Sequence, residues 1–390
     1  MTTPGGEVAI EGLIPKRGES VLVRGAGCEL WDDGGRRYLD LTSAHGITPL
    51  GHCHPELTAA ISDQAGRLIS CSASFYNDQR AAFLDSLTQV LPPALEHVYL
   101  CNSGTEAIEA GLKFAYLLSG RSGVVALKQD FHGRTLGALA TTWNPRFRKP
   151  FAAMLNSTTF VTPGDLDELE AALDDSIGLF LFEVVQGESG VLAVDADYLL
   201  EAERLCRERG VAVMVDEIQT GVGRTGAWWA HEPIGLHPDM MALAKGIAGG
   251  FPMGALISTA AVRQILKPGL HGSTFGGSPL ACRAGRATFE VLVRDKLIDR
   301  ARSVGDFLQN ALQARLRGVE LVKVVRGRGL MIGIELRQRV GPCLARLMND
   351  HGVLAIPAGP TVLRLLPALV IEEEQIEEAA TAIATVLTDS

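Results

Sequence analysis

The sequence predicts an α/β fold with a mostly parallel sheet buried between helices, and two features of its middle part carry this prediction. Apolar runs of strand length, such as IGLFLFEVV and VAVMVDEIQ, alternate there with amphipathic helical stretches such as DADYLLEAERLCRERG. Continuous apolar strands are typical of parallel sheets that are covered on both faces. The intervening helices are the crossovers that parallel strands need.

The two ends of the chain differ from this middle part. A long helical pattern begins near Arg283, the run LVKVVRGRGLMIGIEL after it predicts a hairpin, and further helices end at His351 and close the chain. Near the N-terminus, CELWDDGGRRYLDL predicts another hairpin. We therefore predict a large domain over residues 46–285, and a smaller α+β domain that is formed by residues 1–45 and 286–390.

Composition indicates a globular chain whose main partners are not polyanions. The 390 residues are 47% hydrophobic and 21% charged, and their net charge of −9 argues against nucleic acid or an anionic membrane as a partner. The cysteine count is odd, at 7, without a CxxC pair, which fits a reducing compartment. The chain has neither a secretory signal pattern nor an apolar run of about 18 residues, so we expect a cytoplasmic protein.

Three polar features lie where predicted strands end. Asp216 follows the apolar run VAVMV, Lys245 follows PDMMALA, and Ser103, Gly104 and Thr105 join the strand HVYLC to a helix. Each has an ordinary structural interpretation, because a strand-end lysine reaches water with its amine and a serine caps a helix. In open α/β sheets, however, the carboxyl ends of the strands line the ligand crevice, where we expect all three features to meet.

One cofactor requires this combination. Pyridoxal 5′-phosphate needs an amine for its Schiff base, a carboxylate that keeps its ring nitrogen protonated, and donors for its phosphate, which a helix N-terminus supplies. The glycines from Gly246 onward are expected to leave room beside Lys245 for a planar ring.

A competing pattern is GVGRTG, from Gly221 to Gly226, which fits a dinucleotide fingerprint and would make the protein a nicotinamide-dependent oxidoreductase. Such a fingerprint opens a helix directly. Here it is followed by AWWAHEPIG, which is a poor helix former, and the nearby Asp216 and Glu217 would repel a pyrophosphate. The sequence therefore disfavours this alternative.

Several motifs in order give the chain a resemblance to the class III aminotransferases of fold type I. These are CNSGTEA, FHGRT, FEVVQGESG, VDEIQTGVGRTG, LAKGIAGGFPMGA and HGSTFGGSPLAC, and the resemblance extends from LWDDGGRRYLDL to VLRLLPALVI. It implies a large domain with a mostly parallel seven-stranded type of sheet, pyridoxal 5′-phosphate as the cofactor, and a homodimer.

The resemblance also implies the roles of individual residues toward the cofactor. Lys245 would form the Schiff base and then carry the proton, while Asp216 would pair with the ring nitrogen. Phe131 and Ile218 would cover the two ring faces, and Gln219 would bind near the ring oxygen. Further cofactor contacts are implied for Ser103, Gly104, Thr105, His132 and Glu183, and for Thr274, which would arrive from the other subunit.

Substrate recognition is implied in the same way. Arg134 and Arg364 match arginines that bind substrate carboxylates, a task that suits the bidentate guanidinium. Glu188 matches a residue that covers the second arginine and releases it for 2-oxoglutarate. His45 stands in TSAHGITPLGHCHPE, a loop that shapes the substrate pocket in the family; it either contacts the substrate or is a solvated histidine. The HxH pattern of this loop occurs in the family without a metal, and we predict no metal site.

Within the family, TTWNPRFRKPF and AGPTVLRLLPALVIEEEQIEE are similar to the acetylornithine and LysW-γ-lysine branch. That branch implies transfer of a terminal amino group from an N-blocked diamino acid to 2-oxoglutarate. The block is an acetyl group or an acidic amino-group carrier protein, which Arg146, Arg148 and Lys149 would bind if they are more than a solvated loop.

Other functions remain as alternatives. Within this family, the enzyme would be an ornithine or other ω-amino acid aminotransferase. An aminomutase or racemase would not need the paired Arg134 and Glu188, and a catalytically inactive scaffold would not need Lys245, Asp216 and Gln219.

Overall fold

The structure of the protein is a computed structural model that describes residues 20–389. The expectation that the N-terminus carries no secretory signal concerns residues outside this range. Within the described residues, no helix has both the length and the apolar character needed to cross a membrane.

A seven-stranded sheet forms the centre of the molecule. Its strands, in spatial order, are His97–Cys101, Gly254–Ser258, Met240–Leu243, Ala212–Asp216, Ile177–Phe182, Gly123–Leu127 and Thr158–Val161. Six of these strands run in the same direction, and Gly254–Ser258 runs opposite to them. Three central strands are buried along their whole length, as both-face coverage requires. The prediction of a mostly parallel α/β sheet is confirmed.

Helices cover this sheet and continue beyond it. In chain order they are Pro55–Ala65, Asp78–Thr88, Gly104–Ser119, Leu136–Thr141, Pro145–Arg148, Leu166–Ala172, Ala196–Glu208, Ala260–Ile265 and Pro279–Arg294. The helix Gly104–Ser119 packs across the central strands through a buried face of small residues that includes Ala107, Ala110 and Gly111. Its N-terminus therefore points to the carboxyl edge of the sheet, where the predicted site residues lie.

Two further sheets join the ends of the chain. The first contains Leu22–Ala26, Glu29–Asp32, Arg37–Asp40 and Val353–Leu354, and the second contains Val322–Arg328, Met331–Leu336, Val362–Leu365 and Ile356–Ala358. Both predicted hairpins are present as antiparallel strand pairs. Because Arg37–Asp40 pairs with Val353–Leu354, the N-terminal and C-terminal parts share one sheet. The division into residues 1–45, 46–285 and 286–390 stays a prediction.

The long helical pattern that begins near Arg283 forms two helices, Pro279–Arg294 and Leu297–Arg315. Lys296, between them, has a φ of +51°, a left-handed conformation that a continuous helix does not accept. The helices Gly341–His351 and Glu373–Thr388 complete the C-terminal part. A short hairpin, Val185–Gln186 with Leu192–Ala193, lies beside the carboxyl edge of the large sheet.

Candidate active site

One cavity of about 370 Å³ opens at the carboxyl edge of the large sheet. Three buried strands end there, at Phe182, Asp216 and Leu243. A charged side chain lies at the end of each strand or within two residues after it. These side chains are Glu183, Asp216 and Lys245, which all line the cavity. The parallel strand order thus brings together residues that are far apart in the sequence.

The first wall of the cavity is the start of the helix Gly104–Ser119, with Ser103 as its N-cap. The free N–H groups of the first turn and the positive helix end favour an anion. Gly104 is needed here because a Cβ would lie 2.7 Å from Cδ1 of Ile218. The hydroxyl of Ser103 donates to Glu106 at 3.0 Å, and that of Thr105 is 2.6 Å from the hydroxyl of Thr135.

The floor of the cavity holds a buried carboxylate and a histidine. Oδ2 of Asp216 lies 2.7 Å from Nδ1 of His132, and its Oδ1 accepts a hydrogen bond from the amide of Ile218. Burial disfavours a charged imidazole, but the neighbouring carboxylates of Asp130 and Asp216, the second of which is hydrogen-bonded to the ring, outweigh it and raise the pKa of His132 to about 10. A basic imidazole therefore lies against Asp216.

Glu183 lies in the same floor. Its Oε2 accepts a hydrogen bond of 2.9 Å from the amide of Phe131, which fixes the segment that carries the aromatic ring. Burial, together with the neighbouring Asp130 and Asp216, raises the pKa of Glu183 well above its ordinary value. Phe131 and Ile218 both line the cavity, as a planar ligand between them would require.

Lys245 occupies an unusual backbone position. Its φ of +46° is left-handed, a conformation that costs a non-glycine residue about 1–3 kcal/mol and is concentrated at functional sites. Burial lowers the pKa of its amine, whereas Glu188, Glu183 and Asp216 act in the opposite direction. An amine that is partly deprotonated is a better nucleophile and proton acceptor.

The glycines after Lys245 serve the backbone more than the expected ring space. Gly246 does not line the cavity, and a Cβ on it would be only in ordinary contact with Val222, at 3.4 Å. Gly249 has a φ of +63°, and a Cβ there would lie 2.6 Å from Leu57 and Thr288. Only Gly250 of this group lines the cavity. Our interpretation of the whole turn as space for a ring was therefore too broad, because packing and left-handed φ values account for Gly249.

A buried arginine stands next to the cavity. Arg364, in the strand Val362–Leu365, is 1% exposed, and its Nη1 lies 2.7 Å from Oε1 of Glu188. The same nitrogen donates to Oε1 of Gln219 at 2.9 Å. Burial opposes the charge of Glu188, but Arg364 and then Lys245 hold its pKa below the usual range. The structure thus places Glu188 against Arg364, and the role of this contact as a releasable cover stays a prediction.

Besides Arg364, three predicted site residues do not line the cavity: His45, Arg134 and Thr274. All three are exposed. The guanidinium of Arg134 lies 6.0 Å from the ring centre of Phe131 and 4.8 Å from that of Phe147. His45 lies in the turn Ser43–Gly46 with a φ of +67°. Thr274 was predicted to contact the cofactor of another subunit, so its exposure fits that prediction without testing it.

The family of the chain follows from comparison with known proteins. The model of the class-III aminotransferases matches residues 15–387. The chain belongs to the class III aminotransferases. The sequence resemblance is thereby confirmed, and the protein is an aminotransferase.

Relatives and structures extend this finding. The aminotransferase is 44% identical over 371 residues to a [LysW]-aminoadipate semialdehyde transaminase of Deinococcus radiodurans, which covers 94% of this chain and 86% of the relative. It is 40% identical over 368 residues to an acetylornithine aminotransferase of Methanopyrus kandleri, with 94% of both chains covered. An ornithine aminotransferase of Toxoplasma gondii, whose structure has pyridoxal phosphate at partial occupancy, superposes with a TM-score of 0.92 at 31% identity, over 99% of this chain and 95% of the other.

The GVGRTG stretch has a structural task in the aminotransferase. It forms turns and opens no helix. Arg224, which is 3% exposed, donates to the backbone carbonyls of Leu330 at 2.9 Å and of Pro367, so it fastens the C-terminal part of the chain to the large sheet. The nicotinamide alternative is not supported.

Sequence reasoning missed two residues that border the site. Phe147 packs edge-on against Phe131 at 5.9 Å and supports Arg134. Asp130 lies 3.5 Å from the imidazole of His132. The sequence did contain a pattern that indicates Asp130. It follows the apolar strand Gly123–Leu127 by three residues, where a carboxylate lies at the carboxyl edge of the sheet.

Proposed function

We propose that this aminotransferase uses pyridoxal 5′-phosphate to transfer the terminal amino group of an α-N-blocked diamino acid to 2-oxoglutarate. One observation carries the proposal: a buried arginine, covered by Glu188, lies beside the lysine of the cavity. A covered arginine suits an enzyme that binds donors and acceptors of different charge in turn, because the carboxylate can neutralise the guanidinium when no substrate carboxylate does.

The residues present fit the cofactor. The N–H groups at the start of the helix Gly104–Ser119 suit a phosphate, Asp216 suits a protonated ring nitrogen, and Lys245 bears the amine that would hold the carbonyl carbon. Gly104 lets Ile218 pack directly against the start of this helix, and both residues line the cavity. When bound, the cofactor withdraws electrons from the substrate carbon and carries the amino group from donor to acceptor.

The chain's own groups would then move the proton and select the substrate. Lys245, whose pKa is lowered by burial, would take the proton from the substrate carbon and return it. Arg364 would bind the second carboxylate of 2-oxoglutarate after Glu188 has moved away, and Glu188 would stay on Arg364 while an amine donor is bound. Gln219 contacts Arg364 and would help to hold it in place.

The α-N-blocked donor is supported by the names of the relatives and by the surface near the cavity. The segment 145–154 packs against Phe131 through Phe147. Arg146 and Lys149 are exposed on it, where an acidic carrier could contact them. Arg148 is different, because its guanidinium stacks on Phe160 at 4.5 Å and donates to the carbonyl of Trp143.

We further propose a homodimer in which Thr274 contributes to the phosphate site of the partner. The side-chain amide of Asn102 donates a hydrogen bond of 3.0 Å to the hydroxyl of Ser273. This bond connects the loop of Thr274 with the phosphate end of the cavity. Exposed apolar side chains flank this loop, among them Phe75, Leu270 and Phe275. A subunit interface would remove them from water.

A donor panel tests the proposed substrate. Ornithine, acetylornithine and a carrier-linked donor are each offered with 2-oxoglutarate, and the glutamate formed is measured against the aldehyde product. We expect the blocked donors to react and free ornithine to react poorly. If only the free α-amino acid reacts, the blocked-substrate proposal is wrong and the ornithine alternative holds.

The same panel locates the carrier surface. In the double variant Arg146→Ala, Lys149→Ala we expect a higher KM for a carrier-linked donor and an unchanged KM for acetylornithine, because only the carrier is large enough to reach this segment. An equal effect on both donors would contradict a docking surface.

A further inference from the structure

His132 lies between two carboxylates, of which only Asp216 faces the cavity. Nδ1 of the imidazole is 2.7 Å from Asp216, and Nε2 is 3.5 Å from Oδ2 of Asp130. The side chains of His132 and Asp130 have no exposed surface. Asp130 does not line the cavity, so a direct contact with a ligand is not its task.

Asp130 is held in place by groups other than the histidine. Its Oδ1 accepts a hydrogen bond of 2.7 Å from the side chain of Gln186, and its Oδ2 accepts one of 3.1 Å from the amide of Glu183. The carboxylate is therefore fixed on the far side of the imidazole. Among residues 20–389, Nε2 of His132 has no hydrogen-bond partner, so its interaction with Asp130 is one between charges.

A doubly protonated imidazole places a cation among the buried carboxyl groups of this region. The titratable groups around it are Asp130, Asp216, Glu183 and the amine of Lys245, with the hydroxyl of Tyr198 near Asp130. Three buried carboxyl groups would be costly without a cation among them. Burial raises the pKa values of Glu183 and Asp130 and lowers that of the Lys245 amine. The imidazolium is therefore the cation that lies between Asp130 and Asp216.

We propose that Asp130 is a positioning residue that keeps His132 doubly protonated, so that a cation lies behind the carboxylate of Asp216 where it faces the cofactor ring. The second half of this statement rests on the proposed function; the first concerns the chain alone. The imidazolium donates to Asp216 and places a positive charge beside that carboxylate. A neutral imidazole would donate the same hydrogen bond without the charge.

The protonation state of His132 can be measured without turnover. The holoenzyme is labelled with ¹⁵N in the imidazole rings, and the resonances of His132 are assigned by comparison with His132→Gln. In the wild type we expect the ring to stay doubly protonated to beyond pH 9, since its pKa is about 10. In Asp130→Asn, which keeps the side-chain shape, we expect the midpoint to fall by about 1–3 pH units.

Two variants separate charge from shape. Asp130→Glu retains the charge and should retain the doubly protonated ring. Asp40→Asn removes another buried carboxylate that contacts a histidine, His52, at 2.7 Å, and should leave the resonances of His132 unchanged. In the loaded enzyme, Asp130→Asn should lower kcat by about tenfold or more, with KM nearly unchanged.

A neutral His132 ring in the wild type at pH 7 would overturn the proposal, and this measurement needs no variant to fold. So would an unchanged titration in Asp130→Asn, or a changed titration with unchanged kcat. If the wild type transfers no amino group at all, the proposed function fails, while the ring measurement still decides whether Asp130 sets the charge of His132.

Discussion

The floor of the cavity and its rim hold their charged groups in different ways. In the floor, His132, Glu183 and Asp216 are each no more than 5% exposed, and each has a hydrogen-bond partner within 3 Å. At the rim, Arg134 and His45 are exposed, and Arg134 contacts the aromatic rings of Phe131 and Phe147. Arg364 is intermediate, because it is buried but paired with a carboxylate whose side chain is 36% exposed.

This difference indicates that different residues serve the chemistry and the choice of substrate. A buried charge is stable only with a fixed partner, so a change in the floor disturbs several groups at once. An exposed charge is screened by water and salt, and it can change with little effect on the rest. We therefore expect the floor to carry the chemistry shared by the class III aminotransferases and the rim to adjust the choice of donor.

The largest effect is expected for Lys245→Ala. Loss of this amine removes both the attachment point and the proton carrier, so transamination should fall by at least about 10²–10⁴-fold. Glutamate formation from 2-oxoglutarate and the visible absorbance of the purified protein are the measurements. Lys267→Ala, at an exposed lysine, is the matched control and should behave as wild type. Undiminished turnover in Lys245→Ala would contradict the proposed mechanism.

Arg364→Ala should have the next largest effect. A hydrogen bond to a charged group contributes about 1.5–3 kcal/mol, so kcat/KM for 2-oxoglutarate should fall by about 10- to 100-fold. The half-reaction with an amine donor should change less if, as proposed, Glu188 stays on Arg364 while the donor is bound. Arg364→Lys keeps the charge but loses the bidentate fork, and should recover only part of the activity. An equal loss in both half-reactions would contradict the role of Glu188 as a cover.

The floor was predictable from the sequence because its chemistry fixes the residue types. A carboxylate after an apolar strand needs a cation, and parallel strands place such residues at one edge. Asp216 and Lys245 accordingly line one cavity, together with Glu183, which the family resemblance implied. The fold was predictable for a similar reason, since continuous apolar runs that alternate with amphipathic helices leave few arrangements of a sheet.

The rim and the details of the floor were not predictable in this way. The position of Arg134 depends on Phe147, which comes from a separate short helix, Pro145–Arg148. The break at Lys296 and the left-handed φ of Lys245 arise from packing that a periodic pattern does not contain. Asp130 contacts His132, two residues away, in a segment without regular secondary structure, where no periodic pattern predicts which side chains meet.

The smallest effect is expected for Arg134→Ala. This variant tests whether Arg134 stays exposed when the substrate binds. Exposed ion pairs contribute about 0.2–1 kcal/mol, so KM for the donor should rise by less than about fivefold.

The difference in KM between this variant and the wild type should disappear as salt is raised toward 1 M. At that concentration the Debye length is about 3 Å, so exposed charges that are further apart are largely screened. Phe147→Leu should reproduce part of the effect, because it removes the ring under the guanidinium. A hundredfold rise in KM that persists in salt would contradict this expectation. It would mean that Arg134 leaves the rings of Phe131 and Phe147 and enters the cavity when the substrate binds. Arg134 would then be a buried partner of the substrate and no longer an exposed charge at the rim.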